Sequence, residues 1–244
     1  MLHKVVQLGG KSYFWLEKTN VVSMIQEYQV SGFRVREYEE LGSTNTETER
    51  VGWSELEDKM VILTYRQTQG RGQVGNHWES EPGKNISMTV VFKPRELPAG
   101  QQFAVSMVIA LGACDFISRY VSGCSVKWPN DIYVGDRKIS GILIEHSIMG
   151  RYVGGSLCGI GVNINQERFL SDAPNPVSLF QLIGKEIPVK RALEELLDCI
   201  EKRYETIRDY EGLERDFLKV LYRREGGYDW EDERGMFRAS IRGV

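Results

Sequence analysis

The sequence contains few of the residues that form disulfides, zinc sites or thiol redox motifs. Its 244 residues include four cysteines, whose spacing matches neither a CxxC motif nor a zinc site. We therefore expect reduced, buried thiols in a cytoplasmic protein. The four are Cys114, Cys124, Cys158 and Cys199. His3, His77 and His146 are far apart in the sequence and predict neither a catalytic triad nor a metal site.

Long apolar runs and an excess of basic charge are also absent from the sequence. We find no stretch of 18 apolar residues that predicts a membrane span, and no apolar signal-peptide core at the N-terminus. The formal net charge of −3 argues against a nucleic-acid partner. Because 41% of the residues are hydrophobic, the chain can bury a substantial core, and we expect one main domain.

The sequence does contain a lysine-bearing hairpin, KWPNDIYVGDRKISGILIE, at residues 127–145. Gly135 and Asp136 predict a two-residue turn between two strands, so that Lys138 follows at the root of a rigid strand. A cation held in this way can stabilise charge that develops during a reaction. Taken alone, however, Lys127 and Lys138 are more typical of solvated lysines that protect a strand edge.

Three further patterns carry chemistry. Residues 70–78, GRGQVGNHW, lie between two apolar runs, and their glycines allow the backbone to bend closely around a ligand. Residues 159–165, GIGVNIN, end a strand-like run, where glycine indicates close approach of a ligand or strand. Residues 43–45, STN, start a predicted helix in which Thr44 and Glu47 have the spacing of a capping box.

Together, GSTN, the GRG segment, KWPND followed by K-x-x-GILIE, and GIGVNIN resemble one family, the biotin protein ligases. The resemblance covers roughly residues 38–165. It implies an α/β (α+β) fold, a mixed sheet with flanking helices that is related to class II aminoacyl-tRNA synthetases and lipoate ligases. It also implies a cytoplasmic enzyme that forms biotinyl-5′-AMP from biotin and ATP with Mg²⁺. Biotin would then pass to one lysine of a biotin carboxyl carrier protein.

The resemblance also implies roles for individual residues. Lys138 and Arg71 would be catalytic, converging where the biotin carboxylate meets the α-phosphate and offsetting the repulsion between these anions. The residues that would bind biotin are Ser43, Thr44, Asn45, Gln67, Gly70, Arg71, Gly72, Lys138, Gly141, Gly159 and Gly161. The residues that would bind the nucleotide are Arg71, Trp78, Lys127, Asn130, Asp131 and Asn163. Asp131 would also help to hold Mg²⁺, and no residue is assigned as the base for the transfer step.

The same resemblance divides the chain into three parts. Residues 1–37 would be an extension of unknown role, 38–220 the catalytic domain, and 221–244 a partial SH3-like β segment. Residues 1–37 are too few for the DNA-binding domain that some family members carry, so we expect neither a DNA-binding domain nor a membrane partner. A homodimer is left open. The expected partners are the biotin carrier, biotin and ATP.

Periodicity predicts the remaining elements. Apolar residues recur at helical spacing over residues 101–120 and 189–210, which predicts two amphipathic helices packed on the sheet. Near the C-terminus, Phe237, Ala239 and Ile241 alternate with polar residues, as in one strand of a hairpin. A single hairpin is marginally stable, so we expect it to dock on the catalytic domain or pair with another chain.

Two alternatives compete with biotin ligation. One is a lipoate or octanoate ligase or transferase of the same fold, and the other is a non-catalytic biotin sensor. Gln67 and Trp128 favour biotin over a simple acyl chain, because the ureido ring needs polar partners. Retention of Lys138 argues against the sensor. Gln73 and Asn76 stand where many family members have arginine, which would weaken retention of the adenylate or change the dynamics of the glycine segment.

Overall fold

The computed structural model describes residues 5–8, 11–14, 23–73, 75–171 and 173–243. Within these ranges it contains 14 strands and five α-helices, with runs of strands separated by helices. The strands are β1 (Val5–Leu8), β2 (Lys11–Phe14), β3 (Met24–Val30), β4 (Phe33–Tyr38), β5 (Met60–Thr64), β6 (Gly70–Arg71), β7 (His77–Trp78), β8 (Ile86–Phe92), β9 (Cys124–Lys127), β10 (Asp131–Val134), β11 (Arg137–Met149), β12 (Tyr152–Val162), β13 (Tyr228–Asp232) and β14 (Gly235–Ala239). The helices are α1 (Thr44–Val51), α2 (Phe103–Ser118), α3 (Leu179–Ile183), α4 (Val189–Tyr204) and α5 (Tyr210–Lys219).

The centre of the fold is an eight-stranded sheet in the order β3-β4-β5-β8-β12-β11-β10-β9. Strands β4 and β5 run parallel, and every other neighbouring pair in this sheet is antiparallel. The predicted mixed sheet with flanking helices is therefore confirmed. In the predicted hairpin, Val134 of β10 pairs with Arg137 of β11, which leaves Gly135 and Asp136 as the two-residue turn.

Both faces of the central strands are covered. The main core lies on the face that packs against α2 and α4, where it includes Val61 and Leu63 of β5. Met60 and Ile62 point to the opposite face and join a smaller cluster beside α1. Because both faces are buried, β5 and β8 are almost continuously apolar rather than alternating. The α1 face is also the one that carries the candidate site.

Helix α2 is the central helix of the main core. By length and composition alone, residues 99–118 could cross a membrane, with a mean hydropathy of 1.4, but 67% of this stretch is buried within the protein. A Cβ atom on Gly112 would lie 2.8 Å from the Cα atom of Ile200 in α4. The glycine therefore allows the two helices to approach closely, which is a packing role rather than a membrane-crossing one.

The structure differs from the predicted helix boundaries in one place. Residues 189–210 form not one helix but α4, a short turn and the beginning of α5. Asp209 starts α5 as its N-cap, and its side chain accepts a hydrogen bond from the backbone N–H of Gly212. A local cap of this kind competes with continuation of the preceding helix, although the apolar periodicity runs on through Ile207.

The N-terminal and C-terminal regions relate differently to the main sheet. Strands β3 and β4 belong to it, and Phe33 and Val35 are fully buried in the core, so a boundary at residue 37 would divide the sheet. Strands β13 and β14 form a separate hairpin, which confirms the predicted strand at Phe237 and Ala239, but β14 ends at Ala239 and does not include Ile241. Beyond the hairpin, Ile241 packs against the main core, whereas Phe237 remains 45% exposed.

Candidate active site

A cavity of about 620 Å³ opens on the α1 face of the sheet. Its walls come from the start of α1, the β6–β7 glycine hairpin, strands β9 to β12, and residues 169, 171 and 173–176. All the site residues predicted from the sequence line this cavity except Gly70. Gly70 pairs with Trp78 in the glycine hairpin, and a Cβ atom there would lie 2.7 Å from Gln67 Nε2, so it supports the wall from behind.

The predicted biotin-binding side chains form a buried polar cluster at the start of α1. The backbone N–H of Thr44 donates to Gln67 Oε1 at 2.9 Å, which fixes the glutamine side chain against the helix. Thr89 donates to Asn45 Oδ1 at 2.6 Å, and Asn45 Nδ2 donates to Glu145 Oε2 at 3.1 Å. These bonds hold polar groups rigidly inside a site that an uncharged ring with amide-like edges could enter.

The predicted capping box at the start of α1 is wrong. The N-cap is Ser43 rather than Thr44, and its side chain makes no capping hydrogen bond. Glu47 instead pairs with Arg50 at 2.6 Å. The residues that would have closed the cap are therefore engaged elsewhere, and the Ser43 side chain is turned to the cavity wall.

Three glycines make room for the cavity in the middle of the sheet. Because alternate residues of a strand face the same side, Gly159 and Gly161 of β12 both face α1, and Gly141 of β11 pairs with Gly161. A Cβ atom on Gly159 would come within 2.9 Å of Asn45 Cγ. A Cβ atom on Gly161 would come within 2.7 Å of Trp78 Cζ2. Side chains at these positions would fill the space above the strands.

Trp78 lies directly on this glycine floor. Its ring stacks over Gly161 and Gly141, and its buried Nε1–H has no hydrogen-bond partner among the described residues. Buried indole N–H groups normally have a partner, so an unpaired donor at this position costs free energy. Lys138 Nζ lies 5.9 Å from the centre of the same ring.

The two predicted catalytic cations are held by different carboxylates. Lys138 Nζ pairs with Asp131 at 2.7 Å. Arg71 donates to Glu49 at 2.9 Å and to Glu145 at 3.2 Å, and the hydrogen bond that it donates to Glu49 is the main cause that raises its pKa. The expected convergence of Arg71 and Lys138 on one point is therefore not present in this structure, although both side chains line the same cavity.

The backbone of Lys138 is fixed from both sides. Its N–H donates to the carbonyl of Asn175 at 2.8 Å, and its own carbonyl accepts from the N–H of Val177 at 2.9 Å. The carbonyl of Val177 in turn accepts from Asn163 Nδ2 at 3.1 Å. The segment that follows residue 172 thus adds a short parallel bridge beside β11 and holds the lysine in place.

The predicted nucleotide side contains a second lysine and two amides. Lys127 Nζ lies 5.0 Å above the Tyr133 ring and 3.2 Å from its hydroxyl oxygen. Asn130 Nδ2 donates to the carbonyl of Ile142 at 2.6 Å. Asn163 is buried, and its Oδ1 has no hydrogen-bond partner within the described residues. A ligand donor reaching Asn163 would satisfy an acceptor that otherwise costs free energy.

A Mg²⁺ ion would have limited support from the protein. Within the described ranges, no group of three or more His, Cys, Asp or Glu side chains could hold a metal ion. Asp131 provides one carboxylate in the cavity, and one carboxylate completed by phosphate oxygens and water is a normal Mg²⁺ environment. The residues present therefore fit Mg²⁺ that arrives with a nucleotide, and they do not fit a resident metal site.

Sequence reasoning missed several residues that shape the site. Glu145 joins Arg71 to Asn45, and Thr89 holds Asn45 from below. Glu145 could have been found, because it alternates with Gly141 along the quoted motif and so faces the same side. Residues 169–176 could not, since their proline-rich stretch indicates only a loop. Trp128, which the sequence predicts to favour biotin, is 56% exposed and lies outside the cavity.

Solved structures show which class of protein has this fold. The chain superposes on the biotin protein ligase from Aquifex aeolicus in complex with biotin and ATP with a TM-score of 0.70. The match covers 86% of this chain and 87% of that chain at 22% sequence identity, a level at which it establishes the fold. The protein therefore has the α/β catalytic fold of biotin protein ligases.

Sequence comparison identifies the family. The model of the biotin/lipoate A/B protein ligase family matches residues 39–163, more than half of the chain, which therefore belongs to this family. The bifunctional ligase/repressor BirA of Bacillus subtilis (strain 168) is 28% identical over 219 residues, covering 85% of this chain and 66% of that protein. The biotin–[acetyl-CoA-carboxylase] ligase of Paracoccus denitrificans is 32% identical over 124 residues, covering 50% and 51%. The chain thus spans less than two thirds of either relative.

Proposed function

We propose that this protein is an ATP-dependent biotin protein ligase. It would form biotinyl-5′-AMP from biotin and ATP and pass the biotinyl group to a lysine of a biotin carboxyl carrier protein, in the cytoplasm. The observation that carries the proposal is one cavity in which the polar cluster around Asn45 and Gln67 and the ammonium of Lys138 meet. The names of the relatives and the ligands of the Aquifex structure support it.

The first step joins two anions, so charge is its main obstacle. A carboxylate oxygen of biotin attacks the α-phosphorus of ATP, the bond from that phosphorus to the bridging oxygen breaks, and pyrophosphate leaves. From a fixed backbone, Lys138 exchanges Asp131 for the phosphoryl oxygens and stabilises the negative charge that grows on them. Mg²⁺ would enter with ATP and neutralise part of the phosphate charge.

The second step needs no nucleophile from the protein. The acceptor lysine's neutral amine attacks the carbonyl carbon of the mixed anhydride, a C–N bond forms, the C–O bond to AMP breaks, and the proton lost by the nitrogen passes to water. AMP is a good leaving group at neutral pH, so positioning contributes more than acid catalysis. Lys138 and Arg71 are the cations that can stabilise the departing phosphate.

The polar cluster favours biotin over lipoate. A ureido ring offers two N–H donors and one carbonyl acceptor, whereas the dithiolane end of lipoate offers neither. Asn45 and Gln67 are buried or half-buried amides whose bonds to neighbouring groups fix them in place, and burying an acyl chain against them would desolvate polar atoms without replacing their partners.

Pyrophosphate release and carrier modification provide the test, measured together with biotin, Mg·ATP and a biotin carrier domain. We expect pyrophosphate and a carrier whose mass increases by one biotinyl group, with lipoate failing to compete. Modification by lipoate and not biotin would identify the lipoate ligase, and biotin binding without pyrophosphate would identify the sensor. Either result would overturn the proposal.

Lys138→Ala tests the role of the lysine within that reaction. Loss of one preorganised donor should slow adenylation by about 10²–10³-fold while biotin binds almost as before. The matched control is Lys185→Ala, which removes an exposed lysine outside the cavity and should change neither quantity. Equal losses of binding and adenylation in Lys138→Ala would show that the lysine supports the structure of the site rather than the chemistry.

A further inference from the structure

Glu79 occupies an unusual position for a carboxylate at the edge of the cavity. It follows Trp78 at the end of the glycine hairpin, and its described partners are N–H donors that belong to one segment. Oε1 accepts from the backbone of Leu170 at 2.8 Å and from Gln166 Nε2 at 2.9 Å, and Oε2 accepts from the backbone of Ser171 at 2.8 Å. The carboxylate therefore binds the chain at residues 166–171 through three hydrogen bonds.

The bound segment forms part of the cavity wall. Phe169 and Ser171 line the same cavity as Lys138 and Asn163. The Leu170 side chain, by contrast, is 90% exposed, so the segment has little apolar burial of its own. A wall with little packing of its own depends on hydrogen bonds for its position.

Gln166, at the start of the segment that Glu79 binds, is held rigidly. Gln166 is buried, its Oε1 accepts from the N–H of Glu81 at 3.0 Å and from Asn85 Nδ2, and its carbonyl accepts from Ser178 Oγ at 2.6 Å. Asn85 Oδ1 in turn accepts from the N–H of Ile164 at 3.0 Å. Hydrogen bonds therefore join residues 79–85 to residues 164–166, and Glu79 extends this hydrogen-bond network to Leu170 and Ser171 in the wall.

From this geometry we propose that Glu79 is a positioning residue of the active site, one that holds Phe169 and Ser171 as the wall facing bound ATP. The inference deepens the proposed function and rests on it. We place the wall on the nucleotide side of the cavity because the chain beyond it, at Asn175 and Val177, bonds the backbone of Lys138 and the side chain of Asn163. Glu79 does not touch the reacting atoms, so its loss should weaken nucleotide binding much more than it slows chemistry.

The charge of Glu79 is suited to this role. Burial opposes the charged form, but hydrogen bonds from Ser171, Leu170 and Gln166 outweigh it and lower the pKa of Glu79 below its ordinary value. The carboxylate is thus ionised at neutral pH and can accept from all three donors. A glutamine of the same size has one acceptor oxygen and one NH₂ group, so at least one N–H donor would face another donor.

Glu79→Gln is therefore the sharpest variant, with Glu79→Ala as a second variant that removes the whole group. The matched control is Glu81→Gln, which makes the same charge change on an exposed side chain two residues away. Two quantities decide the outcome: hydrogen-exchange rates of the Leu170 and Ser171 amides in the full chain, and the Kd and KM for ATP. In the Glu79 variants we expect exchange at least tenfold faster and Kd and KM for ATP about tenfold higher, a change of about 1.4 kcal/mol.

The expected pattern also includes quantities that stay constant. The value of kcat should remain within about twofold of wild type, the Kd for biotin should not change, and Glu81→Gln should behave as wild type. Unchanged exchange at Leu170 and Ser171, faster exchange with unchanged ATP affinity, or a loss confined to kcat would each overturn the inference. Wild-type protein that binds neither biotin nor ATP would refute the proposed function itself, whereas normal wild type with normal Glu79→Gln refutes only this role.

Discussion

Gly159→Ala should destabilise the protein by about 2 kcal/mol, because the added methyl group meets a side chain that cannot move. Gly159 has an ordinary backbone conformation, so alanine is not strained there. Its Cβ atom, however, would overlap Asn45 Oδ1 and lie 2.9 Å from Asn45 Cγ. Asn45 is 4% exposed and is held by Thr89 at 2.6 Å and by Glu145 at 3.1 Å.

The magnitude follows from opposing effects. Overpacking a buried site typically costs about 1–3 kcal/mol, and breaking the Thr89–Asn45 bond adds about 1 kcal/mol. Restricting the unfolded chain with alanine returns about 0.4–1 kcal/mol. A net loss of about 2 kcal/mol should lower the Tm by roughly 4–8 °C for a protein of this size. Thermal and urea unfolding followed by circular dichroism would measure it.

A double-mutant cycle separates this cause from others. Removing the amide in Asn45→Ala takes away the obstacle, so Gly159→Ala should cost less than about 0.5 kcal/mol in that background. Gly100→Ala is the matched control, since a Cβ atom there meets no atom within 4 Å. A cost for Gly159→Ala that is the same with and without Asn45, or no cost at all, would refute the steric reasoning.

Two other predictions follow from the same geometry and from the charges. Gly161→Ala would place a Cβ atom 2.7 Å from Trp78 Cζ2. Because the indole sits on a short hairpin that can shift, we expect little change in Tm but at least tenfold weaker binding of the biotin and ATP ligands by calorimetry. A loss of Tm as large as that of Gly159→Ala would contradict this. Hydrogen bonds from Lys219 and Arg203 lower the pKa of Asp216, and those from Arg36 and Arg34 lower the pKa of Glu27. Carboxylates with a lowered pKa stabilise the folded protein above their unfolded pKa, and this stability is lost as the pH falls through the folded pKa. The Tm should therefore decline below about pH 4.5. A Tm that stays constant from pH 6 to pH 3 would argue against these ion pairs.

Local features of the fold could be predicted from the sequence better than contacts between residues that are far apart in the chain. The hairpin turn at Gly135 and the helix at residues 101–120 follow from turn chemistry and periodicity, both of which are properties of neighbouring residues. The family motifs also predicted which residues share the cavity. The motif indicated that Glu145 faces the site, but the pairing of Arg71 with Glu49 and Glu145 could not be predicted, because these residues are 22 and 74 positions away from it. Such partners depend on strand register and helix placement, which no local pattern encodes.

The ion pairs of the site determine which cation can meet ATP without losing a partner. For Arg71 and Lys138, binding a phosphate means leaving Glu49, Glu145 or Asp131, and an uncompensated carboxylate would then remain in the cavity. Lys127 differs, because its described partner is the neutral phenol of Tyr133, with the ammonium 5.0 Å above the ring. A phosphate can approach Lys127 while that contact is kept, since a cation–π contact leaves N–H donors of the ammonium available. Under the proposed function, Lys127 would thus be the cation that makes the first contact with ATP. Lys138 would then exchange Asp131 for the reacting phosphoryl group, at the stage when negative charge there increases and the exchange is most favourable.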